Sequence, residues 1–145
     1  MADAKEIFKK PIGYFLERGI DNFRIDSEKT INDLLKVYFE NGGFVVVCYN
    51  NLVSGYLDVS DTAHVRKLAE SSLKTKIKTS RLLQLNSHFV LRSESINSVI
   101  DQLNVHNRVF FPVVDNRGHL RGRVSKGIIR DKIDQIYDGL GIFWY

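Results

Sequence analysis

The chain has 145 residues, is 43% hydrophobic and carries 21 basic against 17 acidic side chains, for a net charge of +4. That supplies one shared core, while so mild a basic excess does not specify nucleic acid. No apolar run reaches the ~18 residues of a membrane-spanning helix, the charged N-terminus has no secretory apolar stretch, and Cys48 is the only cysteine, which rules out an intrachain disulfide and fits a reducing, cytoplasmic setting.

Residues 1–20 predict a helical segment begun or interrupted near Pro11, with Ile7, Phe8, Ile12, Phe15 and Leu16 as apolar contacts. A first repeat is expected over 21–70. It opens on a short strand at Ile25, followed by Ile31, Leu34, Leu35 and Tyr38 at the spacing of one helix face. Thr30 and Asp33 predict a capping box at the start of that helix. "FVVVCY" (44–49) is nearly all apolar and reads as a central strand. A turn at Asn50-Asn51, a strand through Gly55 and a further helix complete the repeat.

Residues 71–87 read as a connecting segment. Its Lys74, Lys76, Lys78 and Arg81 lack interleaved aromatics and suit a solvated surface better than a nucleic-acid site. The second repeat, 88–138, starts at Val90 and continues with Ile96, Val99, Ile100 and Leu103 on one helix face. Then come the strand "FPVV", a turn at Asn116–Gly118, a strand carrying Leu120, Gly122 and Val124, and a helix expected over 128–137. The tail 139–145, "GLGIFWY", ends in three aromatics and is expected to cover the core or meet a partner.

Residues 44–61 and 111–128 match without a gap, placing Phe44 on Phe111, Val46 on Val113, Val47 on Val114, Val53 on Leu120 and Gly55 on Gly122. The copies differ by two residues, a difference this alignment assigns to the preceding helix-to-strand connection. One repeat of about 55 residues cannot bury a sheet face alone, so two packed about a pseudo-twofold axis are expected.

This organisation resembles a pair of CBS domains over roughly residues 11–137. The resemblance is carried by "FFPVVDNRGHLRGRVS" (110–125) and by its weaker counterpart "GFVVVCYNNLVSGYLDVSD" (43–61). It implies an α/β (α+β) fold of two pseudo-twofold-related β-α-β-β-α repeats. It also implies assembly into a disc-like homodimer, and clefts between the repeats where family members bind AMP, ADP, ATP or S-adenosylmethionine. Some members bind nothing and serve in assembly. The family's ligand signature is a glycine, two apolar residues, a serine or threonine, two variable residues and an aspartate. The hydroxyl approaches phosphate and the aspartate holds the ribose.

On that pattern Gly55 and Asp61 match in the first repeat, with Asp58 at the hydroxyl position. In the second, Gly122 and Ser125 match, Arg123 replaces an apolar residue and Ile128 replaces the aspartate. The candidate ligand residues are Gly55, Asp58, Asp61, Val114, Gly122, Arg123, Ser125 and Lys126. Several of these have a plainer role: packing or sheet twist for the glycines, helix capping for Asp61, and, together with Arg121 and Arg130, a solvated edge for Arg123 and Lys126. Ser125 stands before a helix start, whose free N–H groups favour an anion. Val114 would offer an apolar surface to adenine.

His64, His88, His106 and His119 have no metal-ligand spacing, and neither a nucleophile elbow nor a phosphate loop occurs. The expectation is a non-catalytic regulatory module that senses an adenosyl nucleotide between its repeats and needs no cofactor. The alternative is a ligand-free interaction or dimerisation scaffold of the same fold. Expected partners are a second copy and an attached or separate effector protein, with neither nucleic acid nor membrane insertion.

Overall fold

The computed structural model describes residues 4–136. The elements in chain order are α1 (Ala4–Ile7), α2 (Ile20–Phe23), β1 (Arg24–Asp26), α3 (Ile31–Glu40), β2 (Val45–Tyr49), β3 (Leu52–Leu57), α4 (Thr62–Ala69), β4 (Val90–Leu91), α5 (Ile96–Val105), β5 (Phe111–Val114), β6 (Leu120–Val124) and α6 (Lys126–Ile136). From β1 and from β4 the order is the same β-α-β-β-α. Each repeat forms a three-stranded sheet, β1-β2-β3 or β4-β5-β6, with the all-apolar strand in the centre. Among the described residues no helix is long and apolar enough to cross a membrane. The aromatic tail, and Tyr137 at the expected end of the last helix, lie outside the described residues.

Local chemistry sets the element bounds. The Thr30 side chain accepts the Asp33 N–H and the Asp33 carboxylate accepts the Thr30 N–H, closing the expected capping box. α6 starts at Lys126, directly after Ser125 and two residues before the 128–137 span, because the Ser125 hydroxyl accepts the Ile128 N–H. The N-terminal segment is not one helix. Extended Pro11 separates α1 from a single 3-10 turn at Ile12–Tyr14. Of the apolar residues expected to pack there, Ile7, Ile12, Phe15 and Leu16 are buried and Phe8 is partly buried against the same core.

The register corrects the gapless alignment. Val47 pairs with Gly55, and Val113 with Gly122, so Val47 corresponds to Val113 and Val45 to Phe111. The extra two residues are therefore divided. One lies in the helix-to-strand connection, 106–110 against 41–44. The other lies in the hairpin, where Val114 pairs with Leu120 while Cys48 pairs with Val53. In the shorter turn Asn50 and Asn51 both take positive φ, 49° and 65°. That is the type I′ geometry of a two-residue hairpin.

The segment preceding each repeat lies against the other repeat. Ile96 and Asn97 donate their N–H groups to the carbonyls of Lys10 and Phe8, while Ile31 and Asn32 donate to Thr75 and Leu73. Farther along, Glu17 exchanges both backbone hydrogen bonds with Arg123, and Asn86 does so with Tyr56. Residues 8–17 thus seal the second repeat and 73–86 the first. First-turn helix donors and the outer sheet edges, which would otherwise be exposed or orphaned, are paired by this exchange.

Both glycines shared by the repeats belong to the crossings. A Cβ on Gly122 would stand 2.5 Å from the Glu17 carbonyl oxygen and 2.4 Å from Leu16 Cδ1, and one on Gly55 2.5 Å from Leu85 Cβ. Val46, Cys48 and Tyr56 of the first repeat and Leu120 of the second belong to one core, which continues beneath the second sheet through Val113 and Val124 to helices α5 and α6. A second core lies between β1–β3 and helices α3 and α4. Gly122→Ala is expected to cost about 1–3 kcal/mol, since backbone must move. Gly127→Ala, with only Ser125 Oγ nearby at 3.8 Å, is expected to be neutral or to stabilise by up to ~1 kcal/mol. Urea denaturation of the two variants measures the contrast.

Candidate functional site

β3 delivers the chain to the face between the repeats and ends at Leu57. The next residue, Asp58, is fully buried and opens the 3-10 turn Val59–Asp61. Its Oδ1 accepts the Ser60 N–H at 2.9 Å, and Asp61 Oδ2 accepts the Asp58 N–H at 2.8 Å. The turn fixes the two carboxylates side by side. The second repeat then closes over them. Val109 and Phe110 donate their N–H groups to Asp58 Oδ2 at 2.9 and 3.1 Å. Arg108 Nη2 lies 2.8 Å from Asp58 Oδ1 and 2.5 Å from Asp61 Oδ2, and its Nη1 reaches Asp61 Oδ1 at 3.2 Å.

Asn86 of the crossing segment donates to Asp61 at 2.9 Å. The guanidinium sits 5.2 Å from the Tyr56 ring centroid, within cation–π range. One guanidinium and a set of N–H donors thus serve two carboxylates. Burial opposes ionisation of Asp61, but the Arg108 guanidinium, the Asp58 N–H and the Asn86 amide together hold its carboxyl below the ordinary value. Burial pushes the Tyr56 hydroxyl up to about 12. Two buried polar atoms beside the cluster, Tyr56 Oη and Arg108 Nε, have no hydrogen-bond partner.

On the other side of the pseudo-axis, Arg123 corresponds to Tyr56, since the two exchange equivalent bonds with Glu17 and Asn86. Its Nε donates to Glu17 at 2.9 Å and its Nη1 to the Asn41 carbonyl at 3.1 Å. Its guanidinium carbon stands 4.7–5.3 Å from the Phe23, Phe44 and Phe110 ring centroids. Only 12% of the side chain is exposed. Ser125 caps α6, Lys126 Nζ contacts Asn104 Oδ1, and Val114 is buried in β5.

The structure therefore joins Asp58 and Asp61 in one cluster and leaves Arg123, Ser125 and Lys126 with separate intramolecular partners. Gly55 and Gly122 face the crossing chain segments. Sequence reasoning missed Arg108, Tyr56, Asn86 and Glu17. Arg108 had one signal: it lies in the connection that is longer in the second repeat. Elsewhere, burial raises the Cys48 thiol to about 11, which keeps it protonated and non-nucleophilic near neutrality. Among the described residues no group of three or more His, Cys, Asp or Glu could hold a metal.

Arg108→Met is expected to cost about 3–5 kcal/mol, because it leaves Asp58 buried without its cation. The Asp61 contribution is complete above the unfolded-state value, about 3.9, and is lost as pH falls through the lower folded value. Urea denaturation between neutral pH and about pH 3 is expected to show an acid loss in the parent protein that is smaller in the Arg108 variant.

No protein-family model and no curated protein sequence matches the chain. Solved structures do. The CBS domains of a transcriptional regulator from Streptococcus pneumoniae superpose with a TM-score of 0.66 at 18% identity, covering 83% of this chain and 97% of that one. A CBS domain pair/ACT domain protein from Thermotoga maritima gives 0.67 at 15% identity, with 88% and 98% covered. The CBS domain of a bacterial CNNM/CorC family Mg2+ transporter in complex with ATP gives 0.66 at 20% identity, with 89% and 90% covered. Two β-α-β-β-α repeats with the same strand order, joined through a common core, give this chain the fold of a tandem CBS domain pair.

Proposed function

We propose that the chain is a non-catalytic regulatory module that works through protein contacts, with its own carboxylate in the place of an anionic effector. The observation that carries this is Asp58. It occupies the position where the CBS signature has a phosphate-side hydroxyl, and its oxygens take the Arg108 guanidinium and the Val109 and Phe110 N–H groups. Those are the donors an incoming phosphate would need. A phosphate at that place would also meet two carboxylates. One like-charge pair at 4 Å costs about 4 kcal/mol at an effective dielectric of 20. The opposite cleft holds the Arg123 guanidinium between three rings.

The proposed partners are a second copy and an attached or separate effector protein. Supporting contact with a second copy, Phe39 and Val59 remain 66% and 37% exposed and line a groove that runs between α3 and α4.

A second reading is adenosyl-ligand sensing, with AMP, ADP, ATP or S-adenosylmethionine displacing Asp58 from its donors. The unpartnered Tyr56 hydroxyl and Arg108 Nε favour it, since a ligand's polar edge would satisfy both. The ATP bound to the CNNM/CorC domain shows that one neighbour of this fold takes such a ligand. Between nucleotides and S-adenosylmethionine, the cationic sulfonium suits a site with two carboxylates better.

Calorimetry with these four ligands separates the readings. The parent protein is expected to show no binding up to millimolar ligand, and Asp58→Ser, which restores the signature hydroxyl, to gain binding of AMP or ATP. Micromolar binding by the parent protein would establish the sensing reading instead. Thermal unfolding of the variant confirms that it remains folded during the titration.

A further inference from the structure

A cavity of about 510 Å³ opens on the helix-facing side of the first sheet, away from the cleft between the repeats. Its floor is Val47 of the central strand, and its walls are Ile77, Leu83 and Leu85 from the segment that crosses to seal this repeat. Ser27 lies at its edge, only 6% exposed. The Ser27 backbone is committed: its N–H donates to the Cys48 carbonyl and its carbonyl accepts the Lys78 N–H, each at 3.0 Å. Its hydroxyl oxygen, in contrast, is buried with no partner. Buried hydroxyls are nearly always hydrogen-bonded in folded proteins, so this one points to an occupant.

The second repeat has a smaller counterpart of this cavity with a different lining. Arg92 donates to Val114 as Ser27 does to Cys48, and Arg121 precedes Gly122 as Ser54 precedes Gly55. At both positions serine gives way to arginine, and the corresponding space, about 300 Å³, is lined by Arg18, Arg92 and Arg121. The second repeat's lining keeps aliphatic side chains, Leu16, Ile20 and Leu120, but has no serine, so the first repeat alone offers hydroxyls where the second has guanidinium groups. The one ammonium at its rim, Lys78, is paired with Glu28, so no unpaired charge faces an occupant. An apolar cavity of about 150 Å³ holds a benzene, and 510 Å³ falls in the range of small-molecule sites.

We propose that this cavity binds a small, uncharged, mainly apolar molecule of one to three rings, seated on Val47, Ile77, Leu83 and Leu85 with one polar group hydrogen-bonded to the Ser27 hydroxyl.

The neutral naphthalene ketone prodan is a fitting probe, because its single carbonyl is an acceptor for that hydroxyl. Titration of the full chain, read by the blue shift of prodan emission and by methyl NMR, is expected to be saturable and to move the methyl signals of Val47, Ile77, Leu83 and Leu85. Ser27→Ala is expected to weaken binding by about 2–10-fold, the worth of one hydrogen bond. Ser54→Trp fills the cavity from an exposed rim position and is expected to abolish binding with the melting temperature kept. Failure to saturate by millimolar prodan, shifts confined to other methyls, or unchanged binding by either variant would overturn the proposal. Asp58→Ser is expected to leave prodan binding unchanged, which keeps this test separate from the one on the cleft.

Discussion

A carboxylate with no access to water organises this molecule. Asp58 is fully buried, and its donors come from both halves of the chain: Ser60 from its own turn, and Arg108, Val109 and Phe110 from the other repeat. A buried carboxylate left without them would cost several kcal/mol, so the repeats must meet in one register. The crossing segments reinforce that register. Residues 73–86 complete the first repeat and 8–17 the second, so neither is closed within its own stretch of sequence. An apolar interface alone would tolerate sliding. A fixed set of N–H donors around one carboxylate does not, because each requires its own distance and direction.

The duplicated halves have diverged in a consistent direction. Both guanidinium groups between the repeats come from the second half. Arg108 stacks on Tyr56, and Arg123 lies among Phe23, Phe44 and Phe110. The positions of Tyr56 and Arg123 correspond, yet one offers a ring to a cation and the other is the cation. Each arrangement fills the place where two open sheets meet. The single residue added to the second helix-to-strand connection accompanies Arg108 and the paired N–H groups. A buried carboxylate and most of its donors thus come from opposite halves of the chain.

Much of the fold was legible because it rests on short-range patterns. The i, i+3, i+4 spacing of Ile31, Leu34, Leu35 and Tyr38, and of Ile96, Val99 and Leu103, marks buried helix faces. The apolar runs at 45–49 and 111–114 mark central strands. The gapless alignment failed where side-chain type is uninformative. Valine suits several consecutive positions of a strand buried on both faces, so a one-residue shift leaves no trace in the pattern, and only the hydrogen-bond register resolves it. Asp58 and Asp61 stood out as departures from or matches to a motif. Arg108 did not, because its meaning depends on residues 47 and 50 positions earlier in the chain.

By itself, then, the sequence determined the two repeats, their element types and the all-apolar strand at the centre of each, since local periodicity and turn chemistry are readable without partners. Tertiary structure alone decided that the segments before the repeats exchange places, that Gly55 and Gly122 make room for them, and that Asp58 and Asp61 share Arg108. Those outcomes depend on which backbone donors and side chains distant in sequence arrive at the same point in space, and spacing along the chain does not encode that.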